Sequence, residues 1–151
     1  MKTKSYPSFT VLGAGHGGTA MAGHLSLMGF DVALYNRSPQ RLQAIKAAGG
    51  IGILSDCGDT LPHGFAELKV VTTDPSEAIA GRDILMIVLP ATAHKFVAEQ
   101  IAPFVEDGQF IVLNPGRTGG ALEVHRIIKA SGNKADVVVS EAQTFIYASR
   151  S

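Results

Sequence analysis

Six residues near the N-terminus carry the clearest chemistry in this sequence. Gly13-Ala14-Gly15-His16-Gly17-Gly18 spells G-x-G-x-x-G, directly after the apolar run Phe9-Thr10-Val11-Leu12 and at the start of a segment with helical periodicity. In that setting Gly13 permits a tight turn, Gly15 lets a pyrophosphate approach the backbone, and Gly18 lets the helix pack closely on the strand. The amides of the helix N-terminus then face the phosphates. His16, with Gly17 beside it, is close to the pyrophosphate turn and either contacts the cofactor or faces solvent. About 20 positions beyond such a loop, an acidic residue that accepts the ribose hydroxyls marks a preference for NAD. Asn36 holds that place here, followed by Arg37 and Ser38, with Arg41 one helical turn further on. No carboxylate stands there to repel a 2′-phosphate, and two guanidiniums with a hydroxyl suit one. NADP(H) is therefore the expected cofactor. NAD(H) is the alternative if both arginines are merely solvated.

Short apolar runs alternating with helix-period segments must position these groups, a pattern of βαβ units around a parallel sheet. Strands are expected at 9–12, 32–35, 70–72, 84–89, 110–113 and 137–139. Helices are expected over 17–28, from Ser38-Pro39 to about Ala48, over 74–80 behind an Asp74-Pro75-Ser76-Glu77 capping box, over 91–104 and over 120–130. The irregular stretch 51–69 reads as a loop or short hairpin. The fold class is α/β, a doubly wound, mostly parallel sheet of about six strands in the order 3-2-1-4-5-6.

Ligands of such sheets sit beyond the carboxyl ends of the strands. Leu89-Pro90 leaves the most apolar strand and Asn114-Pro115-Gly116 leaves the next, so both are expected along the cofactor. Arg117 could receive a substrate carboxylate or stand exposed in its loop. Glu141 could point into the crevice or meet solvent. His94, one turn after Pro90, could serve as acid or base near neutral pH; the alternative is a helix-start residue bonded to water or backbone. His24, His63 and His125 lack metal-ligand spacing, and no metal site is expected.

Composition narrows the setting. The 151 residues carry 13 Lys plus Arg against 13 Asp plus Glu, which gives no electrostatic footprint for nucleic acid or an anionic membrane. No run reaches the length of a membrane span, and the polar opening Met1 to Ser8 has no secretory h-region. A lone cysteine, Cys57 in a polar loop, fits a reducing, cytoplasmic setting.

The loop Gly13–Gly18, the stretch Ile87-Val88-Leu89-Pro90-Ala91 and above all Leu113-Asn114-Pro115-Gly116-Arg117-Thr118-Gly119-Gly120-Ala121-Leu122-Glu123 resemble the N-terminal domain of opine dehydrogenases, the octopine and nopaline type. The resemblance runs over nearly all of the chain, to Glu141 and the Thr144–Arg150 segment. It implies NAD(P)H-dependent condensation of an amino acid with an α-keto acid through an imine that hydride reduces. It also implies a second, mostly helical domain that carries the catalytic histidine, so residues 1–151 are expected to be the cofactor-binding part of a longer enzyme, inactive alone. His16 stands where family members often carry Asn, and Arg117 where they commonly carry a small residue. Glycerol-3-phosphate or ketopantoate reductases, and a non-catalytic nucleotide-binding module, are the competing readings. Two copies could associate as a homodimer through Phe145, Ile146 and Tyr147.

Overall fold

The computed structural model describes residues 6–55, 60–117 and 119–150; Cys57 and Thr118 lie outside them. In chain order the elements are β1 (Phe9–Leu12), α1 (His16–Leu27), β2 (Val32–Tyr35), α2 (Gln40–Ala48), β3 (Gly50–Ile53), β4 (Gly64–Glu67), β5 (Val70–Thr72), α3 (Pro75–Ile79), β6 (Ile84–Ile87), a 3-10 turn (Ala91–Ala93), α4 (His94–Ile101), β7 (Phe110–Leu113), α5 (Gly120–Ala130) and β8 (Val138–Glu141). Six strands form one sheet in the order β5-β2-β1-β6-β7-β8, and every pairing in it is parallel. This is the expected 3-2-1-4-5-6 order. The irregular stretch forms an antiparallel hairpin of β3 and β4, tied to α1 where the Ser26 hydroxyl donates to the Glu67 carbonyl at 2.8 Å.

The sheet separates two cores. On one face Leu85, Ile87, Ile111 and Leu113 meet Ile79, Val97, Ile101, Val124 and Ile128 of α3, α4 and α5. On the other, Val11 and Leu34 meet Met21 and Ala22 of α1 and Leu42 of α2. Cover on this second face thins toward β7 and β8, where the register partners Phe110 and Val138 are each about half exposed. Thr10 is fully buried in the central strand because its hydroxyl donates to the Ala78 carbonyl of α3.

Local capping departs from expectation in two places. Ser38 does not cap α2: its hydroxyl donates to Gln40 Oε1 at 2.7 Å, and the helix starts one residue later than expected. Asp74 caps α3 by accepting from the Ser76 and Glu77 amides, but its own amide donates to Thr72 Oγ1 at 3.0 Å, so the reciprocal half of the capping box is supplied by the preceding strand. The strand expected over 84–89 ends at Ile87, and the helix expected from 91 begins as a 3-10 turn.

Candidate functional site

A cavity of about 320 Å³ opens at the carboxyl ends of β1, β2 and β6, lined among others by Gly13, Gly15, Asn36, Arg37, Ser38, Arg41, Leu89 and Pro90. Eight residues singled out from sequence thus come together in one place. Gly13 adopts φ +120°, where side chains are disfavoured, and a Cβ on it would lie 2.6 Å from the Val88 carbonyl oxygen. A Cβ on Gly18 would fall 1.7 Å from the Gly13 carbonyl oxygen, so only glycine lets α1 approach β1 this closely. Gly15 is the opposite case: nothing lies within 4 Å of its Cβ position, and α1 begins there without a side-chain cap. Open space before an uncapped helix N-terminus is what a pyrophosphate requires.

Asn36 latches the site. Its Oδ1 accepts from the Ala14 amide at 3.1 Å and its Nδ2 donates to the Ser38 carbonyl at 3.1 Å, joining the glycine loop to the β2–α2 turn. Arg37 and Arg41 bring two positive charges to the same wall of the cavity, with the Arg37 guanidinium carbon 5.2 Å from the centre of the Phe96 ring. Tyr35, beneath them, has its hydroxyl pushed above the ordinary value mainly by burial, against the opposing pull of Arg37. Phe96 belongs to no motif in the sequence. Its signal is that it falls off the buried stripe of α4, formed by His94, Val97, Ala98 and Ile101.

The remaining candidates divide. His94 is 1% exposed and its Nε2 lies 3.2 Å from the Leu89 carbonyl, so it braces the Leu89-Pro90 turn from behind instead of reaching into the cavity. Asn114, Pro115 and Gly116 form a separate cluster at the ends of β7 and β8. The Asn114 amide donates to Ile87 and its Nδ2 to Val112, and a cis peptide bond joins it to Pro115. Gly116 donates to the Ala142 carbonyl at 3.1 Å, with Glu141 packed against its α-carbon. The Glu141 carboxylate accepts from the Ala121 amide at 2.8 Å and so holds the first turn of α5. Arg117 is exposed, at φ 56°. His16 lines a second cavity of about 480 Å³ between α1, the hairpin and residues 147–150, and Gly17 lies under the Phe145 ring. Phe145 and Tyr147 are packed within the chain: both join the core at α1, and Tyr147 Oη lies 2.6 Å from His24 Nδ1. Of the three residues expected to draw two copies together, only Ile146 is left exposed, which removes most of that apolar surface.

A family model described as the N-terminus of NAD-dependent glycerol-3-phosphate dehydrogenase matches residues 8–140. The chain belongs to this family. Within the NAD-dependent glycerol-3-phosphate dehydrogenase N-terminal family, the resemblance to opine dehydrogenases is borne out. The opine dehydrogenase of Arthrobacter sp. (strain 1C) is 36% identical over 144 residues, covering 95% of this chain and 39% of that protein. An NAD(P)+ glycerol-3-phosphate dehydrogenase of Geobacter metallireducens is 33% identical over 102 residues, covering 68% of this chain and 29% of that protein. The structure of octopine dehydrogenase with NADH and L-arginine superposes with a TM-score of 0.81 at 25% identity, covering 95% of this chain and 36% of that one. The chain spans about two fifths or less of the length of these relatives. It is the NAD(P)-binding, doubly wound domain of this family, and its relatives are NAD(P)-dependent dehydrogenases. No helix among the described residues is long and apolar enough to cross a membrane.

Proposed function

We propose that this chain is the NADP(H)-binding N-terminal domain of a longer, cytoplasmic oxidoreductase that reductively condenses an amino acid with an α-keto acid. The observation that carries the opine reading is the 36% identity to an opine dehydrogenase across 95% of the chain. The NADP(H) preference rests on Asn36, Arg37 and Arg41 along one cavity wall, where two guanidiniums can pair with a 2′-phosphate and no carboxylate opposes it.

The bound nicotinamide would supply the hydride. The chain's own part is positioning. The open backbone at Gly15 and the first turn of α1, His16 and Gly17 included, receive the pyrophosphate. Asn36 and Ser38 set the β2–α2 turn against the ribose, with Arg37 and Arg41 at its phosphate. Leu89 and Pro90 form the apolar wall, with His94 fixing their turn. Asn114, Pro115 and Gly116 line the far end of the strand edge, held by Glu141, with Arg117 exposed beside them for a substrate carboxylate. Acid–base chemistry and most of the substrate site belong to polypeptide beyond this domain, so the 151-residue chain alone binds cofactor without turnover.

The second reading, a reductase acting on one keto substrate such as a glycerol-3-phosphate dehydrogenase, is favoured by the family model and the Geobacter match. NADPH oxidation by the full-length enzyme separates the two. The opine reading expects oxidation only when an amino acid and an α-keto acid are both present. Oxidation with dihydroxyacetone phosphate or ketopantoate alone would replace it.

A further inference from the structure

The Arg37–Phe96 contact joins the β2–α2 turn to α4, and both residues line the cavity. Phe96 is 37% exposed, lies off the buried stripe of α4, and lines the cavity with Arg37. Arg37 itself is exposed and, among the described residues, makes no ion pair. A long side chain in that state loses rotamer freedom when it meets a ligand, and ordering it beforehand removes part of that cost. A ring face 5.2 Å from the guanidinium carbon does this, because the π face attracts the cation. A guanidinium held over a ring also keeps its N–H donors around its edge, where a phosphate can take two of them.

We propose that Phe96 is a positioning residue for cofactor selection, holding the Arg37 guanidinium ready for the 2′-phosphate of NADP(H). The inference rests on the NADP(H) reading above and adds to it a residue with no charge of its own. Selectivity for the 2′-phosphate then depends on an aromatic ring one helix away from the strand end that carries the arginine.

Adenosine 2′,5′-bisphosphate and 5′-AMP differ only in the 2′-phosphate, so their affinities measured by calorimetry isolate the effect. Phe96→Leu is expected to weaken the bisphosphate about threefold, the size of a partly exposed cation–π contact, and to leave 5′-AMP unchanged. Phe96→Tyr keeps the ring face and is expected to keep the selectivity. On an Arg37→Ala background Phe96→Leu should add nothing, since the ring acts through the arginine. Equal weakening of both ligands would make Phe96 a simple adenosine wall and overturn the proposal. So would unchanged selectivity in Phe96→Leu, or full additivity with Arg37→Ala. A parent protein that binds both ligands alike would overturn the NADP(H) reading and the proposal with it. A parent that prefers the bisphosphate while Phe96→Leu keeps that preference overturns the proposal alone.

Discussion

Asn36 offers the sharpest separation between holding the site together and choosing its ligand. Asn36→Ala removes the acceptor of the Ala14 amide and the donor to the Ser38 carbonyl. Ala14 is only 4% exposed, so its amide is left without water or partner, a loss of about 2 kcal/mol; the Ser38 carbonyl is less enclosed and turns to solvent. For a chain of this length that corresponds to a fall in Tm of about 4–8 °C. NADPH and NADH binding should weaken together, because the glycine loop is no longer latched to the β2–α2 turn. Asn36→Asp is different in kind. Its carboxylate still accepts from the Ala14 amide, now with a full charge, and only the bond to Ser38 is lost, which costs about 1 kcal/mol and about half the fall in Tm. The new charge stands where NAD-binding relatives of this fold read the ribose hydroxyls. A like charge within about 10 Å of a 2′-phosphate at an effective dielectric of about 20 costs about 1.7 kcal/mol, more than tenfold in affinity at low salt. Thermal melts and calorimetric titration of both dinucleotides in dilute buffer read the two effects. The latch would be refuted by Asn36→Ala melting at the parent temperature. It would equally be refuted by Asn36→Asp losing as much stability as the alanine variant.

Gly18→Ala is expected to lower stability by about 3 kcal/mol or to abolish folding, because its Cβ would overlap the Gly13 carbonyl and neither backbone atom can rotate away; a chemical melt measures it. Glu141→Ala uncaps α5 and should cost about 1 kcal/mol in the same melt, while NADPH affinity changes little because the carboxylate lies outside the cavity. The Asp74 carboxyl is held below its ordinary value of 3.8, chiefly by the Ser76 hydroxyl and then by the Ser76 amide. Its stabilisation is complete above pH 3.8 and fades as pH falls through the lower folded-state value, so Asp74→Asn should flatten the acid limb of stability against pH.

The strand order and the position of the glycine loop were legible in the sequence because both follow from local pattern. Alternating apolar runs and helical periods allow few right-handed topologies, and the Phe9–Leu12 run leads straight into Gly13. The hairpin was legible only as a choice between loop and hairpin, since Gly50–Ile53 and Gly64–Glu67 have no strong alternation and owe their strand form to packing on α1. What stayed hidden is side-chain bonding across the fold. Asn36 reads as a ribose-facing residue from its spacing, yet its amide is engaged by Ala14 and Ser38. Glu141 reads either as a crevice carboxylate or as a solvent-facing one, yet it meets the Ala121 amide because β8 ends beside the first turn of α5. His94 reads either as an acid or base or as a helix-start residue bonded to water or backbone, and the Leu89 carbonyl beside its ring fits the second. Each of these contacts depends on which strand end lies next to which loop, and residue type alone does not carry that information.

Hydrogen exchange with and without NADPH locates the dinucleotide on the domain as well as detecting it. Binding at the strand ends adds protection in residues 13–18, 36–42 and 89–97, which surround the cavity of about 320 Å³, and leaves residues 147–150 beside the larger cavity unchanged. Protection confined to residues 51–55 and 147–150, or no protection at saturating NADPH, would contradict it.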